Sequence, residues 1–427
     1  MMRESYNFKD KSFAVYGLGV TGNSVVDFLN KNRAYKIYTW DDYLSKSNLY
    51  LKNRFIDGLN TVDYIVMSPG INILRSKFKK LLLKNKKKII TDLDLFFLKN
   101  KVQKSIVITG TNGKSTTCSL IHHIFKKNGI KNKLVGNIGK PILDVKFIKK
   151  EIYIIEASSF QLEYSKFIKP YCAAILNISQ DHLDWHGSKK KYIKSKIKIF
   201  NNQTKNDIAF LNDLNLKRLY KRNNFLGKLK YIKNNSIKIT DNQNRYLKLE
   251  ANKNNVKFAY YIAKIFNIDK KAFLKSLKSF EGLAHRHEIF LKKNNKIFIN
   301  DSKATSFQSS KFALQSNKNI FWIVGGMPKL GDKFKLGKLK NNIVKSYIVG
   351  KHMGIFKAQL NRKVDFQLSK TLNNATISIF KDIKNIVDKK ITILLSPASA
   401  SYDQFKNFEE RGNKFKILVK NYARKYL

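Results

Sequence analysis

Residues 105–116 read SIVITGTNGKST. An apolar, β-prone run feeds a glycine loop, and the amphipathic stretch Thr117–Asn128 follows it. Strand, loop and helix in that order suit a phosphate. The loop's backbone N–H groups converge on the anion, and the helix N-terminus adds a favourable dipole. Gly110, Thr111, Asn112, Gly113, Lys114, Ser115 and Thr116 are therefore candidate nucleotide contacts. Lys114 is expected to pair with the outer phosphates and Ser115 to reach a magnesium ion. Position 108 is Ile, so the longer GxxxxGK[ST] form is not met. A purely structural turn is the alternative, and the flanking strand and helix weigh against it.

The same logic extends downstream. The apolar run Ile152–Ile155 ends in Glu156, and a carboxylate at the carboxyl end of a strand beside a phosphate loop is where a magnesium ligand belongs. Ala173–Asn177 ends in SQDHLDWH (179–186), which brings His182 and His186, two of only 7 histidines, into one segment after an acid. That pairing suggests a second metal ion. Tyr192–Phe200 follows as a lysine-rich helix whose charges, by default, face solvent.

Upstream, Gly17–Gly22 reads GLGVTG after the strand-like Ser12–Tyr16, with Asp41 about 20 residues on, the dinucleotide fingerprint. Alone it would indicate a nicotinamide-dependent dehydrogenase, but the loop at 110–116 needs explaining too. Tyr35–Trp40, Tyr64–Met67 and Ile89–Ile90 continue a βαβ pattern with a parallel sheet, and the charged LKNKVQK near Asn100 marks a boundary. Residues 201–255, rich in Lys and Asn, read as strands and loops of low information. Ala259–Asn267 and Lys270–Phe280 read as helices. A third unit opens after Gly282, with strands at Lys296–Asn300, Ile320–Val324, Tyr347–Val349 and Ile391–Leu395. Polar clusters follow three of these strands, NDSKAT (300–305), GGMPK (325–329) and SPASASYDQF (396–405), which points to one crevice at the strand ends.

Composition sets the outer limits. The chain has 427 residues, 43% of them hydrophobic, enough for several packed domains and too apolar for a disordered tail. The net charge is +54, which invites a nucleic-acid-stimulated ATPase as a rival reading. The basic residues are mostly Lys, spread along the whole chain together with Asn and Ile, so a compositional bias and a solvated surface explain them better than a nucleic-acid site. Two cysteines give neither a disulfide framework nor metal spacing. No uncharged apolar run approaches the ~18 residues of a membrane span, and no secretory leader opens the sequence. The expectation is a cytoplasmic protein with no nucleic-acid or membrane partner, and a monomer.

Together, GTNGKST, IIEASSFQLE, NISQDHLD, HRHE, NDSKAT and SPASASYDQFKNFEERG resemble the ATP-dependent Mur ligases of peptidoglycan synthesis over nearly the whole chain. NDSKAT, GLGVTG and DQFKNFEERG are most similar to the branch that adds D-glutamate to UDP-N-acetylmuramoyl-L-alanine. The resemblance implies an α/β protein of three domains. These are a Rossmann-like N-terminal domain for the UDP substrate (1–98), a P-loop ATPase central domain (99–282) and a Rossmann-like C-terminal domain for the amino acid (283–427). Val20, Thr21, Asp41 and Asp42 match uridine contacts. Ser68 and Gly70 match positions near the diphosphate, and Asn137 a further contact of the UDP substrate. Arg286, Asp301 and Lys303 match ATP contacts; Thr305, Lys329, Ser401 and Phe408 match the D-glutamate pocket. The resemblance also implies two magnesium ions, held by Ser115, Glu156, His182 and a carbamylated Lys196, with Lys114, Glu156, His182 and Lys196 as the catalytic set. The family's GxHNxxN segment falls on Asn252–Phe258, with Asn255 as its first Asn and Phe258 in the place of the second, which implies a weaker hold on adenine.

Overall fold

A computed structural model describes residues 6–44, 49–100, 104–179, 181–233, 237, 239–240, 244–329 and 331–426. Residues 101–103 of the boundary run and Gln180 of the SQDH segment lie outside the described residues. The chain divides into two compact units, residues 1–248 with 252–280, and residues 281–427 with 249–251.

The first unit holds two parallel sheets. One contains β1 (Ser12–Tyr16), β2 (Lys36–Trp40), β3 (Tyr64–Met67) and β4 (Ile89–Ile90) in the order 2-1-3-4. The other contains β5 (Ser105–Thr109), β6 (Asn132–Gly136), β7 (Ile152–Glu156), β8 (Cys172–Ile175), β9 (Ile208–Leu211) and β10 (Lys228–Tyr231) in the order 10-9-8-5-7-6. In the first sheet β1 lies between β2 and β3, and in the second β5 lies between β8 and β7, so the connections leave each of these first strands to both sides. Ligands bind at such switch points, beyond the carboxyl ends of the strands. GLGVTG follows β1 and GTNGKST follows β5.

Burial explains why these segments are strands. β5, β7, β8 and β9 are buried along their whole length, as expected where helices cover both faces of a parallel sheet. Ile106 and Ile108 pack to one side, with Cys118, Ile121 and Phe125 of the helix that follows; Val107 packs to the other, with Tyr153 and Phe200.

In the second unit, β11 (Glu288–Lys293), β12 (Lys296–Asn300), β13 (Ile320–Gly325), β14 (Ile343–Val349), β15 (Phe366–Lys370) and β16 (Ile391–Leu395) form one sheet in the order 11-12-16-13-14-15. Only the β11–β12 pair is antiparallel. No described helix is long and apolar enough to cross a membrane.

Several segments differ from the sequence reading. The stretch 201–255, expected to be strands and loops of low information, contains β9, a helix at Leu214–Arg222, β10 and the start of a helix running from Glu250 to Ile265. That helix was expected only from Ala259. Its first turns are polar, yet Asn252 and Asn255 there are buried, so the usual apolar stripe is missing. β8 ends at Ile175, two residues before Asn177, which frees the Asn177 side chain for the phosphate loop.

Candidate functional site

Beyond β5, the helix α1 (Lys114–Lys127) starts at Gly113, whose φ of +84° is left-handed. Gly113 has little room: a β-carbon there would lie 2.1 Å from Oδ1 of Asn255. The loop is braced from β8. Asn177 accepts from the Asn112 N–H at 2.9 Å and donates to its carbonyl at 3.0 Å, and the Thr111 N–H donates to the Asn177 carbonyl. The Thr111 hydroxyl meets the Tyr192 hydroxyl at 3.0 Å. Ser115 and Thr116 are buried at the first turn of α1. Lys114 Nζ folds back to donate to the carbonyls of Gly110 and Thr111, at 2.9 Å each.

Glu156 ends β7 next to β5 and is 2% exposed. Its Oε1 accepts from Asn137 Nδ2 at 3.0 Å. Its Oε2 is buried with no hydrogen-bond partner among the described residues. A buried carboxylate oxygen left unmatched is costly, and a cation satisfies it. With the Ser115 hydroxyl, this is a hard-oxygen donor set of the kind magnesium takes, the phosphates of a nucleotide supplying the rest. The described residues hold no group of three His, Cys, Asp or Glu side chains able to bind a metal unaided.

Lys196, on the helix Lys189–Ile197, is the surprise among the lysines of that helix: it is 1% exposed. Its Nζ donates to the Gly110 carbonyl at 2.9 Å and to Thr109 Oγ1 at 3.2 Å, and sits 4.8 Å from the centre of the Tyr192 ring. Burial, then the charge of Lys114, push its pKa well below the ordinary lysine range, against the opposing pull of Asp181 and Glu156. The four groups therefore share one electrostatic neighbourhood. His182 caps the single-turn helix α2 (Leu183–His186) in the left-handed region, φ +52°, and its Nε2 lies 3.3 Å from Asp181 Oδ2. His186 is buried, bonded to Ser159 Oγ at 3.0 Å and stacked on Phe160.

At the end of the first sheet, Gly17 is left-handed (φ +91°), and a β-carbon on Gly22 would lie 1.8 Å from the Gly17 carbonyl oxygen. Asp41 is fixed by backbone donors: Leu18 to Oδ2, Tyr43 and Leu44 to Oδ1. Asp42 accepts from Tyr16 and Trp40 and pairs with Lys77. Ser68 Oγ donates to the Gly17 carbonyl at 2.7 Å. Val20 and Gly70 are exposed beside this turn, and Thr21 is half-buried.

In the second unit, loops after β12, β13 and β16 meet. Asp301 is buried, accepts from Ser396 Oγ at 2.7 Å and from the His287 N–H at 3.0 Å, and is raised to about 6 by burial. Lys303 Nζ lies 4.8 Å from the Phe408 ring centre. Ser401 is buried, Thr305 and Arg286 are half-buried, and Lys329 is exposed.

Two features go beyond the sequence reading. Asn252 and Asn255, three apart on one helix face, bond to each other at 3.1 Å and are both buried, with Asn255 against Gly113. Phe258 is 0% exposed in the hydrophobic core. Phe258, in the place of the second Asn of the GxHNxxN segment, is a core residue, and Asn255, in the place of the first, has Asn252 as its amide partner. Arg411 is buried at the start of the C-terminal helix and donates to Ser302 Oγ and to the carbonyls of Ser302, Ser399 and Ala400, tying two loops together. It lies within the DQFKNFEERG segment quoted above, but nothing in that segment alone shows which loops it ties.

Residues 108–273 match the Mur ligase middle domain. The chain is 37% identical to the UDP-N-acetylmuramoylalanine–D-glutamate ligase of Rickettsia prowazekii (strain Madrid E), covering 97% of this chain and 99% of that protein. It is 33% identical to the ligase of the same name from Wolbachia pipientis wMel, covering 97% of each. Among solved structures, the MurF ligase of Thermotoga maritima in complex with ADP has a TM-score of 0.62 at 16% identity over 99% of this chain and 97% of that one. The MurC ligase of the same organism has a TM-score of 0.57 at 17% identity over 97% and 100%. At those identities the solved structures bear on the fold.

Proposed function

The chain belongs to the Mur ligase family, among its UDP-N-acetylmuramoylalanine–D-glutamate ligases, and we propose how its residues divide the work. It is an ATP-dependent ligase that joins D-glutamate to UDP-N-acetylmuramoyl-L-alanine in peptidoglycan precursor synthesis. Its division into residues 1–98 for the UDP substrate, 99–282 for ATP and 283–427 for the amino acid is part of this reading, as is a cytoplasmic, monomeric enzyme.

A carboxylate is a poor electrophile, so the L-alanine carboxylate must first be activated. Its oxygen attacks the γ-phosphorus of ATP, ADP leaves, and an acyl phosphate forms. The amine of D-glutamate then attacks the acyl carbon, loses a proton, and expels inorganic phosphate. Both steps concentrate negative charge, which prearranged cations stabilise. Lys114 leaves its loop carbonyls for the outer phosphates, and Gly110–Thr116 cradle them with backbone N–H groups. Asn252 and Asn255 hold the nucleotide side of the loop. Ser115 and Glu156 would hold one magnesium ion; His182 and Lys196, as a carbamate, would hold a second. Magnesium supplies charge neutralisation on the transferring phosphoryl group.

A cationic Lys196 fits poorly beside two divalent ions, whereas a buried amine held neutral can take up carbon dioxide. Val20, Thr21, Asp41, Asp42, Ser68, Gly70 and Asn137 are assigned to the UDP substrate. Arg286, Asp301 and Lys303 are assigned to ATP, and Thr305, Lys329, Ser401 and Phe408 to D-glutamate.

The observation that best supports the catalytic assignment is the unmatched Glu156 Oε2 at the end of the strand next to the phosphate loop. The test is ADP release with UDP-N-acetylmuramoyl-L-alanine and D-glutamate, L-glutamate or other amino acids in parallel. Release that depends on D-glutamate is expected; its absence would overturn the reading.

A further inference from the structure

The segment just past the Ser68–Gly70 turn is bonded to the helix that His182 caps. Asn72 Nδ2 donates to the Trp185 carbonyl at 2.9 Å, and Arg75 donates to the Asp184 carbonyl at 2.6 Å. Between them, the Tyr164 hydroxyl accepts from the Ile73 N–H at 3.2 Å and reaches the Ile71 carbonyl at 3.4 Å. Tyr164 and Trp185 also pack into the hydrophobic cluster of the first sheet, with Ile73 and Phe78.

The helix α2 so held is four residues long, from Leu183 to His186. One turn of helix has no persistence of its own, because nucleation is not repaid by propagation. Its position is set by what grips it. On one side that is Ser159 and Phe160, through His186. On the other it is Asn72 and Arg75. The seam also carries a cost: Trp185 Nε1 is buried there with no acceptor among the described residues, a penalty on the order of 1–3 kcal/mol. The directed bonds from Asn72 and Arg75 offset it.

We infer that Asn72 and Arg75 are positioning residues that latch the His182 helix to the turn carrying Ser68 and Gly70, so that filling the UDP-substrate site sets where His182 stands. This rests on the assignment of the two sites proposed above. The physical chain is short. Ser68 is bonded to the glycine loop through the Gly17 carbonyl. Asn72 follows four residues later, and His182 is three residues from Trp185. Two sites that bias one mechanical element are coupled, and the coupling is reciprocal.

Asn72→Asp separates the latch from local structure. The Asn72 side chain also accepts from the Leu74 N–H at 2.9 Å. A carboxylate keeps that cap but cannot donate to Trp185. Arg75 is exposed, so Arg75→Ala should fold. Calorimetry would measure the Kd of the UDP substrate with and without a non-hydrolysable ATP analogue and magnesium. In the unmodified enzyme each ligand is expected to tighten the other by about tenfold. In Asn72→Asp/Arg75→Ala, and in Arg75→Ala more weakly, the coupling should fall to within about twofold, while each ligand alone keeps its own Kd. Coupling that survives in the double variant overturns the latch. So does an unmodified enzyme that binds both ligands without coupling, or a variant whose loss lies wholly in one ligand's own affinity. Failure of the unmodified enzyme to bind the UDP substrate at all would instead overturn the site assignment, and the latch with it.

Discussion

Asn255 lies so close over Gly113 that the glycine's missing side chain is what makes room for it: a β-carbon would stand 2.1 Å from Oδ1. The φ of Gly113, +84°, is independently unfavourable for any other residue. Gly113→Ala therefore meets two penalties, a backbone one of about 1–2 kcal/mol and a clash. ATP affinity, measured by calorimetry, should fall by more than about 100-fold. Adding Asn255→Gly to Gly113→Ala removes the clash and leaves the backbone strain, so it should restore part of the loop's thermal stability. Equal melting temperatures for the single and double variants would show that the contact does not constrain the loop.

Lys114→Ala should abolish turnover and leave the fold intact. Its Nζ donates to carbonyls of its own loop, Gly110 and Thr111, and the side chain is half-buried. Little stability rides on it, but losing a charge that meets the transferring phosphoryl group should cost several kcal/mol of transition-state stabilisation. A variant with an unchanged circular dichroism spectrum and more than about a tenth of the normal rate would contradict that role.

Asp41→Ala should weaken the UDP substrate and spare ATP. Asp41 collects three backbone N–H groups from Leu18, Tyr43 and Leu44, so it shapes the end of the first sheet. Those bonds hold its pKa below the usual carboxylate value even though burial pushes the other way. Calorimetric Kd values for both ligands check this. A loss in ATP affinity of similar size would mean that the two nucleotide loops have been assigned in reverse.

What could be read in the sequence was whatever the chain encodes locally. β5 and GTNGKST are contiguous, and so are β1 and GLGVTG; a strand, a glycine loop and a helix follow one another within twenty residues in each case. Residues whose meaning depends on another part of the chain were legible only through the family resemblance, as Asn255 and Lys196 were, or not at all. The first turns of the helix at Glu250–Ile265 carry Asn252 and Asn255 inward to the phosphate loop rather than to a core, so a search for apolar periodicity passes over them. β11 is an edge strand with an exposed face and no clean alternation. Lys196 stands among lysines, and only the packing of its helix on β5 separates it from exposed Lys194.

His186 gives a stability prediction with a definite sign. Burial above all depresses its pKa to about 4. An imidazole whose folded pKa lies below its unfolded value of about 6.5 binds fewer protons in the folded state across that window. Its contribution is complete above about pH 6.5 and is lost as the pH falls toward 4. Asp92 and Asp94, raised to about 6 by burial, act in the opposite sense, so the comparison must be between variants. His186→Gln, which can still donate to Ser159, should lose stability less steeply than the unmodified chain between pH 6.5 and 4, by up to about one proton in the linkage slope. Parallel slopes in denaturant titrations would show that His186 is not held neutral by the fold.

Lys196 is the last test and the most demanding. Its amine is buried, donates to the Gly110 carbonyl and to Thr109, and is driven toward the neutral form by burial and by Lys114. Deprotonated amines react with carbon dioxide, forming an N–C bond and releasing a proton; the product is a carbamate with two hard oxygens. Such a group would ligate magnesium where an ammonium would repel it. Lys196→Ala should therefore be nearly inactive, with a loss of more than about 100-fold in kcat. A small added carboxylic acid should restore part of the activity by occupying the vacated position. Lys194, exposed two residues earlier on the same helix, provides the control, and Lys194→Ala should stay close to the unmodified rate. Mass spectrometry under mild alkaline conditions should find one added carbon dioxide on the intact chain and none on Lys196→Ala. If Lys196→Ala keeps most of its activity in carbonate-depleted buffer, the lysine serves only to pack against the loop, and the second metal site must be built from other groups.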